Sequence, residues 1–156
     1  MSDRKTIVPP ALKGVYEQWH FAPAVVSKGM VYCSGIIGTS VDGEAPGKAA
    51  LDGAHATAGA DTGVQALQAV RDPEAQFATA FEALASILAE AGASLADVVE
   101  LTTYHVDIGS HMEAFVRVRD RYLGEPWPAW TAIGVAELVV PGGLLEIRAI
   151  AALPEE

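Results

Sequence analysis

The chain has 156 residues, with 20 Asp and Glu against 10 Lys and Arg, for a formal net charge of −10. Its length suits a single domain spanning residues 1–156, and 51% hydrophobic against 19% charged residues excludes a disordered tail-like chain. The acidic balance, with no cluster of Lys and Arg, argues against nucleic acid as a partner.

The amino-terminal MSDRKTIVPP carries charges with no apolar run behind them and does not read as a signal peptide. Ala24-Val25-Val26 and Met30–Ile37 read as two strands joined by a tight turn at Lys28-Gly29. Gly35 and Gly38 sit within or just after the second run, where glycine signals a bulge or a close approach. Cys33 is the only cysteine, so no intrachain disulfide can form; a reducing, cytoplasmic setting is the expectation, with the thiol buried and inert. The longest uncharged stretch, Gly29 to Val41, is too short to span a membrane.

From Thr39 to Arg71 the pattern dissolves into Ala and Gly, and the segment (about 39–71) reads as a long insertion. Within it, Asp61 is expected to cap a short helix through Val64, Leu67 and Val70. Asp72-Pro73-Glu74 then opens a helix with an N-cap acceptor, proline at the first position and acid in the first turn. Phe77, Phe81, Leu84 and Leu88 supply its apolar stripe, and Gly92 ends it. Ser94 with Asp97 predicts a capping box on one short turn, and Val98–Val106 a strand. Ser110 with Glu113 predicts a second capping box, opening a helix that ends by Gly124. Trp130–Val135 and Leu144–Leu153 read as two more strands, with Pro141-Gly142-Gly143 as the turn between them. This order predicts an α+β fold, one mixed sheet covered on one face by two helices.

His20, His55, His105 and His111 lack the close spacing of metal ligands, so no metal site is expected. Two places could carry chemistry. At Ser34-Gly35 a hydroxyl and a glycine N–H could meet a ligand, or the pair could form a bulge. Glu146, set between Leu144-Leu145 and Ile147, could face water or a cleft; in a cleft, burial would raise its pKa and suit it to proton transfer.

VYCSGIIG, EAGASLADVVELTTYHVDI, PAWTAIGVAEL and LLEIRAIAAL, in that order, resemble the RidA (YjgF) family of reactive-intermediate deaminases, once named for an endoribonuclease. The resemblance implies a chorismate-mutase-like fold in a homotrimeric barrel, with small-molecule clefts between subunits. It also implies hydrolysis of imines and enamines to ammonia and a 2-keto acid, without metal or cofactor. In such a site an arginine clamps the substrate carboxylate and a glutamate positions water; the glutamate corresponds to Glu146, and the serine-glycine pair to Ser34 and Gly35.

The departures concern binding. The arginine after Pro-Ala is Trp130, which has one N–H and no charge; the tyrosine is Phe21; an asparagine of the second helix is Arg119; and the glutamine after Ser-Gly is Ile36. One extra residue falls near Pro141 to Gly143. These changes predict weak turnover of 2-imino acids. The leading expectation is a hydrolase with altered substrate choice, in which Trp130 stacks on the ligand and Arg119 replaces the lost cation. The alternative is a non-catalytic small-molecule-binding trimer, with an endoribonuclease the minor reading.

Overall fold

The computed structural model describes residues 3–40, 42–44 and 68–155. Strand β1 (Lys5–Ile7) leads through a one-turn 3-10 helix, Pro10–Leu12, into α1 (Lys13–Trp19). Neither β1 nor α1 was expected from the sequence. The Pro9-Pro10 pair fixes the backbone where the helix starts, and His20 ends α1 in the left-handed conformation.

Strands β2 (Ala24–Ser27) and β3 (Met30–Cys33) form the expected hairpin. Lys28 and Gly29 both have positive φ, 49° and 77°, as a two-residue turn matched to strand twist requires. The second strand is shorter than predicted. It stops at Cys33, and only Ile36 rejoins the sheet, through an isolated bridge to Ile147.

Two-residue strands β4 (Thr39–Ser40) and β5 (Gln68–Ala69) pair antiparallel and join the ends of the long segment. The helix expected from Asp61 falls on residues outside those described, except that Val70 is buried just after β5 and is not helical.

Helix α2 (Pro73–Ala91) begins as predicted: the Asp72 carboxylate accepts from the Ala75 N–H at 2.9 Å, and Gly92 ends the helix at φ 88°. Its stripe of Phe77, Phe81, Leu84 and Leu88 is fully buried. Ser94 and Asp97 form the predicted capping box before β6 (Val98–Val106). Helix α3 (Ile108–Tyr122) starts earlier than the sequence suggested. Asp107 adopts the left-handed conformation and turns the chain straight from β6 into the helix. Ser110 therefore lies inside the first turn, and the Ser110–Glu113 box does not cap it. Phe81 stacks on Tyr122 at 5.2 Å and on Phe115 at 6.0 Å, fastening the two helices to each other.

Strands β7 (Ala129–Val135) and β8 (Leu145–Ala152) complete a mixed six-stranded sheet in the order β1-β2-β3-β8-β6-β7. The turn at Pro141-Gly142-Gly143 does not join a hairpin, because β6 lies between β7 and β8. β6 runs parallel to β7 and antiparallel to β8. A parallel neighbour needs a crossover, which α3 supplies.

The core lies between the sheet and the helices. Leu145, Ile147, Ala149 and Ala151 of β8 are fully buried there with Leu101, Phe77 and Phe115. Side chains alternate along a strand, so Glu146, Arg148 and Ile150 lie on the other face of the sheet.

Candidate functional site

Glu146 sits opposite Tyr104 in the β6–β8 ladder. Its neighbour Ile147 exchanges both backbone hydrogen bonds with Ile36, at 2.8 and 2.9 Å. Between Cys33 and Ile36 the chain leaves the ladder, so Ser34 and Gly35 form a gap beside β8. The Glu146 side chain fills it: a Cβ on Gly35 would lie 2.5 Å from Oε2. This is the close approach that the glycine signalled.

Ser34 fixes the other wall. Its hydroxyl donates to the Ala22 carbonyl at 2.6 Å, and its N–H donates to the Pro23 carbonyl at 2.9 Å. The hydroxyl proton is therefore committed, while the oxygen keeps lone pairs to accept from a ligand. The same bonds hold the segment that carries Phe21.

Glu146, Ser34, Gly35 and Phe21 line one cavity of about 350 Å³. Most of the remaining wall is apolar. Leu12, Val15 and Trp19 come from the first turns, Ile36 and Ile37 from the strand break, and Val139 and Val140 from the crossover before β8. The sequence reading missed the first three, although their i, i+3, i+7 spacing is that of a helix face. Among the described residues, no Lys or Arg lines the cavity. Burial in these surroundings raises the Glu146 carboxyl above its ordinary value, and no partner among the described residues offsets it.

Trp130 and Arg119 lie elsewhere in the chain. The Trp130 indole N–H donates to Thr103 Oγ1 at 2.9 Å, and its ring lies 5.9 Å from Phe115 of α3. The Arg119 guanidinium stacks over Trp130 at 4.9 Å and Trp127 at 5.7 Å, and pairs with Asp120 at 2.9 Å. Trp130 is thus on the helix-covered face of the sheet, opposite the face that carries Glu146. Within one chain the structure brings together Glu146, Ser34, Gly35 and Phe21, and separately Trp130 with Arg119.

Cys33, His105 and His111 are packed into the core or against its aromatic rings. Cys33 is buried, and burial pushes its thiol up to about 11, so little thiolate forms near neutrality. His105 is buried against Thr103 at 2.7 Å and Phe115, with its pKa lowered by burial. His111 packs edge-on against Phe77, and His55 lies outside the described residues. Among the described residues no three His, Cys, Asp or Glu side chains converge as a metal site, and no helix is long and apolar enough to cross a membrane.

A family profile described as Endoribonuclease L-PSP matches residues 15–153. The chain is 26% identical over 157 residues to the RutC family protein YjgH of Escherichia coli K12, covering all of both chains. A solved structure of a protein YjgH matches with a TM-score of 0.73 at 26% identity, covering 98% of each chain. A RidA structure from the Antarctic bacterium Psychrobacter sp. matches at 27% identity and a TM-score of 0.65, covering 86% of this chain and 89% of that one. Rv2704 of Mycobacterium tuberculosis, of the YjgF/YER057c/UK114 family, shares the fold at 24% identity and a TM-score of 0.70, covering 96% of this chain and 99% of that one.

Proposed function

The chain belongs to the endoribonuclease L-PSP family, that of the YjgF and RidA proteins, and from that membership we propose that its Glu146 cavity is a small-molecule site where the carboxylate activates water for attack on a C=N bond. The observation that carries this reading is a half-buried carboxyl with a raised pKa, held against Gly35 in an otherwise apolar cavity. A general base works best when its pKa lies nearer the working pH than that of a free carboxylate. Ser34 Oγ and the Gly35 backbone border the same space and would hold the substrate, with Phe21 as an apolar wall.

The reading includes a homotrimer with clefts between subunits. Neither Trp130 nor Arg119 lines the Glu146 cavity of its own chain, so in this reading either would reach such a cavity from a second copy. Efficient turnover of 2-imino acids is not expected, because a carboxylate meets no cation among the described residues of the cavity wall. Added to an amino-acid-deaminase reaction, the protein should accelerate ammonia release from 2-iminobutanoate far less than an arginine-bearing relative does. Rapid release comparable to that relative would overturn this expectation.

A non-catalytic binding protein is the second reading, favoured by the aromatic wall of Trp19 and Phe21. Glu146→Gln separates the two. Catalysis predicts loss of turnover in that variant, whereas binding alone predicts affinity nearly unchanged. RNA cleavage fits least, since a net charge of −10 and a carboxylate in the cavity both repel phosphate.

A further inference from the structure

The cavity's lining bears on which C=N compounds it accepts, and this inference rests on Glu146 as the group that activates water. Among the described residues, the wall carries the side chains of Ser34, Thr39 and Glu146 and the single indole N–H of Trp19 as its polar groups, and the proton of Ser34 is already given to Ala22. A ligand carboxylate would therefore sit beside a second carboxylate in an apolar enclosure, where like charges repel strongly. A protonated imine has the opposite charge and would find Glu146 as its acceptor.

Two described cations, Arg119 and Arg148, are candidates to neutralise a ligand carboxylate. Arg119 does not line the cavity of its own chain, and one arriving from a second copy would come already stacked on two indoles and neutralised by Asp120. Arg148 shares the face of Glu146, two residues along β8, but is exposed and does not line the cavity.

We propose that the cavity takes carboxylate-free imines bearing an aromatic or branched apolar substituent, of the kind formed when a primary amine is oxidised. A volume of about 350 Å³ is at the lower end for small-molecule sites. An apolar cavity of roughly 150 Å³ holds benzene, so one ring with a short substituent fits here. In the reaction, Glu146 takes a proton from water as the water oxygen bonds to the imine carbon. The C=N π pair moves to nitrogen, giving a carbinolamine. The proton then passes from Glu146 to nitrogen, the C–N bond breaks to release ammonia, and the hydroxyl gives its proton to Glu146 as the C=O bond forms; Glu146 passes it to the ammonia. Protonated imine and water thus yield a ketone or aldehyde and an ammonium ion, with no change of oxidation state.

The test uses a pair of substrates that differ by a methyl in place of a carboxylate. An amine oxidase converts 1-phenylethylamine to its imine, and an amino-acid oxidase converts phenylglycine to the corresponding imino acid. Semicarbazide traps whatever imine is not hydrolysed first. The protein should suppress trapping of the 1-phenylethylamine imine at least about tenfold more efficiently, and Glu146→Gln should remove the effect. Calorimetry with 1-phenylethylammonium and phenylglyoxylate gives a second readout. If neither imine is hydrolysed but the ammonium ion binds at least about tenfold more tightly, and Glu146→Gln weakens it, the ligand class stands and the hydrolytic reading fails. Equal or better handling of the carboxylate-bearing member, or phenylglyoxylate binding that Arg148→Ala or Arg119→Ala abolishes, overturns the ligand class and leaves hydrolysis standing. Absence of both turnover and binding overturns both.

Discussion

Glu146 owes its raised pKa to where β8 places it. Ile147 and Leu145 face the core, so the carboxylate projects from the other face into the gap left by Ser34-Gly35, and burial disfavours its charged form. The native state therefore binds this proton more tightly than the unfolded chain does. The favourable contribution is complete below the ordinary value of 4.5 and is lost as pH rises through the folded value. At neutral pH, Glu146→Gln should raise the melting temperature, and the difference should shrink as the pH falls below 4.5. Paired melts from pH 4 to 8 check this, and a variant less stable at pH 7 than at pH 4, relative to the parent, contradicts it. If Glu146 is the base, the acid limb of kcat/KM should also lie above the ordinary glutamate value. Gly35→Ala tests the approach itself. The new methyl would displace the carboxylate, since Oε2 is the atom in its way. The expected result is at least a tenfold loss of activity in a protein with native circular dichroism; unchanged activity would mean that the position of Glu146 is not critical.

Two separate stretches of chain converge on one side chain of α2. Gln76, fully buried, donates from Nε2 to the Val70 carbonyl at 2.9 Å and to the Gly142 carbonyl at 3.1 Å. Its Oε1 accepts from the Leu144 N–H at 2.7 Å, immediately before β8. One residue thus anchors the end of the long segment and the crossover that brings Val139 and Val140 to the cavity. Gln76→Ala would leave buried backbone groups unpaired, at about 2–4 kcal/mol of stability. Urea denaturation measures this, and a loss below about 1 kcal/mol would show that water replaces the amide. Nothing in the sequence around Gln76 marks it for this task, because its partners lie up to 68 residues away. What could be read was local. The Asp72 cap, the Lys28-Gly29 turn and the Ser94–Asp97 box follow from short-range chemistry, and each appears as expected. Helix α1 was missed because seven residues give too little periodicity to see. The Pro141–Gly143 turn follows from local chemistry, whereas the insertion of β6 between the two strands it links is a long-range property. The cavity was half legible: Gly35 and Glu146 stood out, while the separation of Trp130 from Glu146 depends on which face each residue meets.

The sheet ends in a strand that is poorly suited to being an edge. Strand β7, AWTAIGV, has no charged residue and no proline, and its residues through Gly134 are all exposed. Proteins usually blunt such an edge with lysine, proline or a bulge, because its free N–H and C=O groups invite pairing. Around it, the uncovered face presents Ile133 and Tyr32, at 40% and 41% exposure. The backbone edge and the apolar face together favour association of identical chains, as the family resemblance implies. Charge opposes it: each copy carries −10, and that repulsion is screened within about 10 Å at 0.1 M salt. The balance predicts a trimer of three 16.3 kDa chains near physiological ionic strength, loosening as salt is withdrawn. Light scattering at micromolar concentration in 0.01 M and 0.15 M salt reads both effects. A double variant, Tyr32→Glu with Ile133→Glu, should be monomeric in both, and loss of the site function along with assembly would show that a second copy completes the cavity. A parent protein that stays monomeric at every salt concentration would remove the trimer. It would also leave Trp130 and Arg119 no route to the Glu146 cavity, so the functional site would have to be complete within one chain.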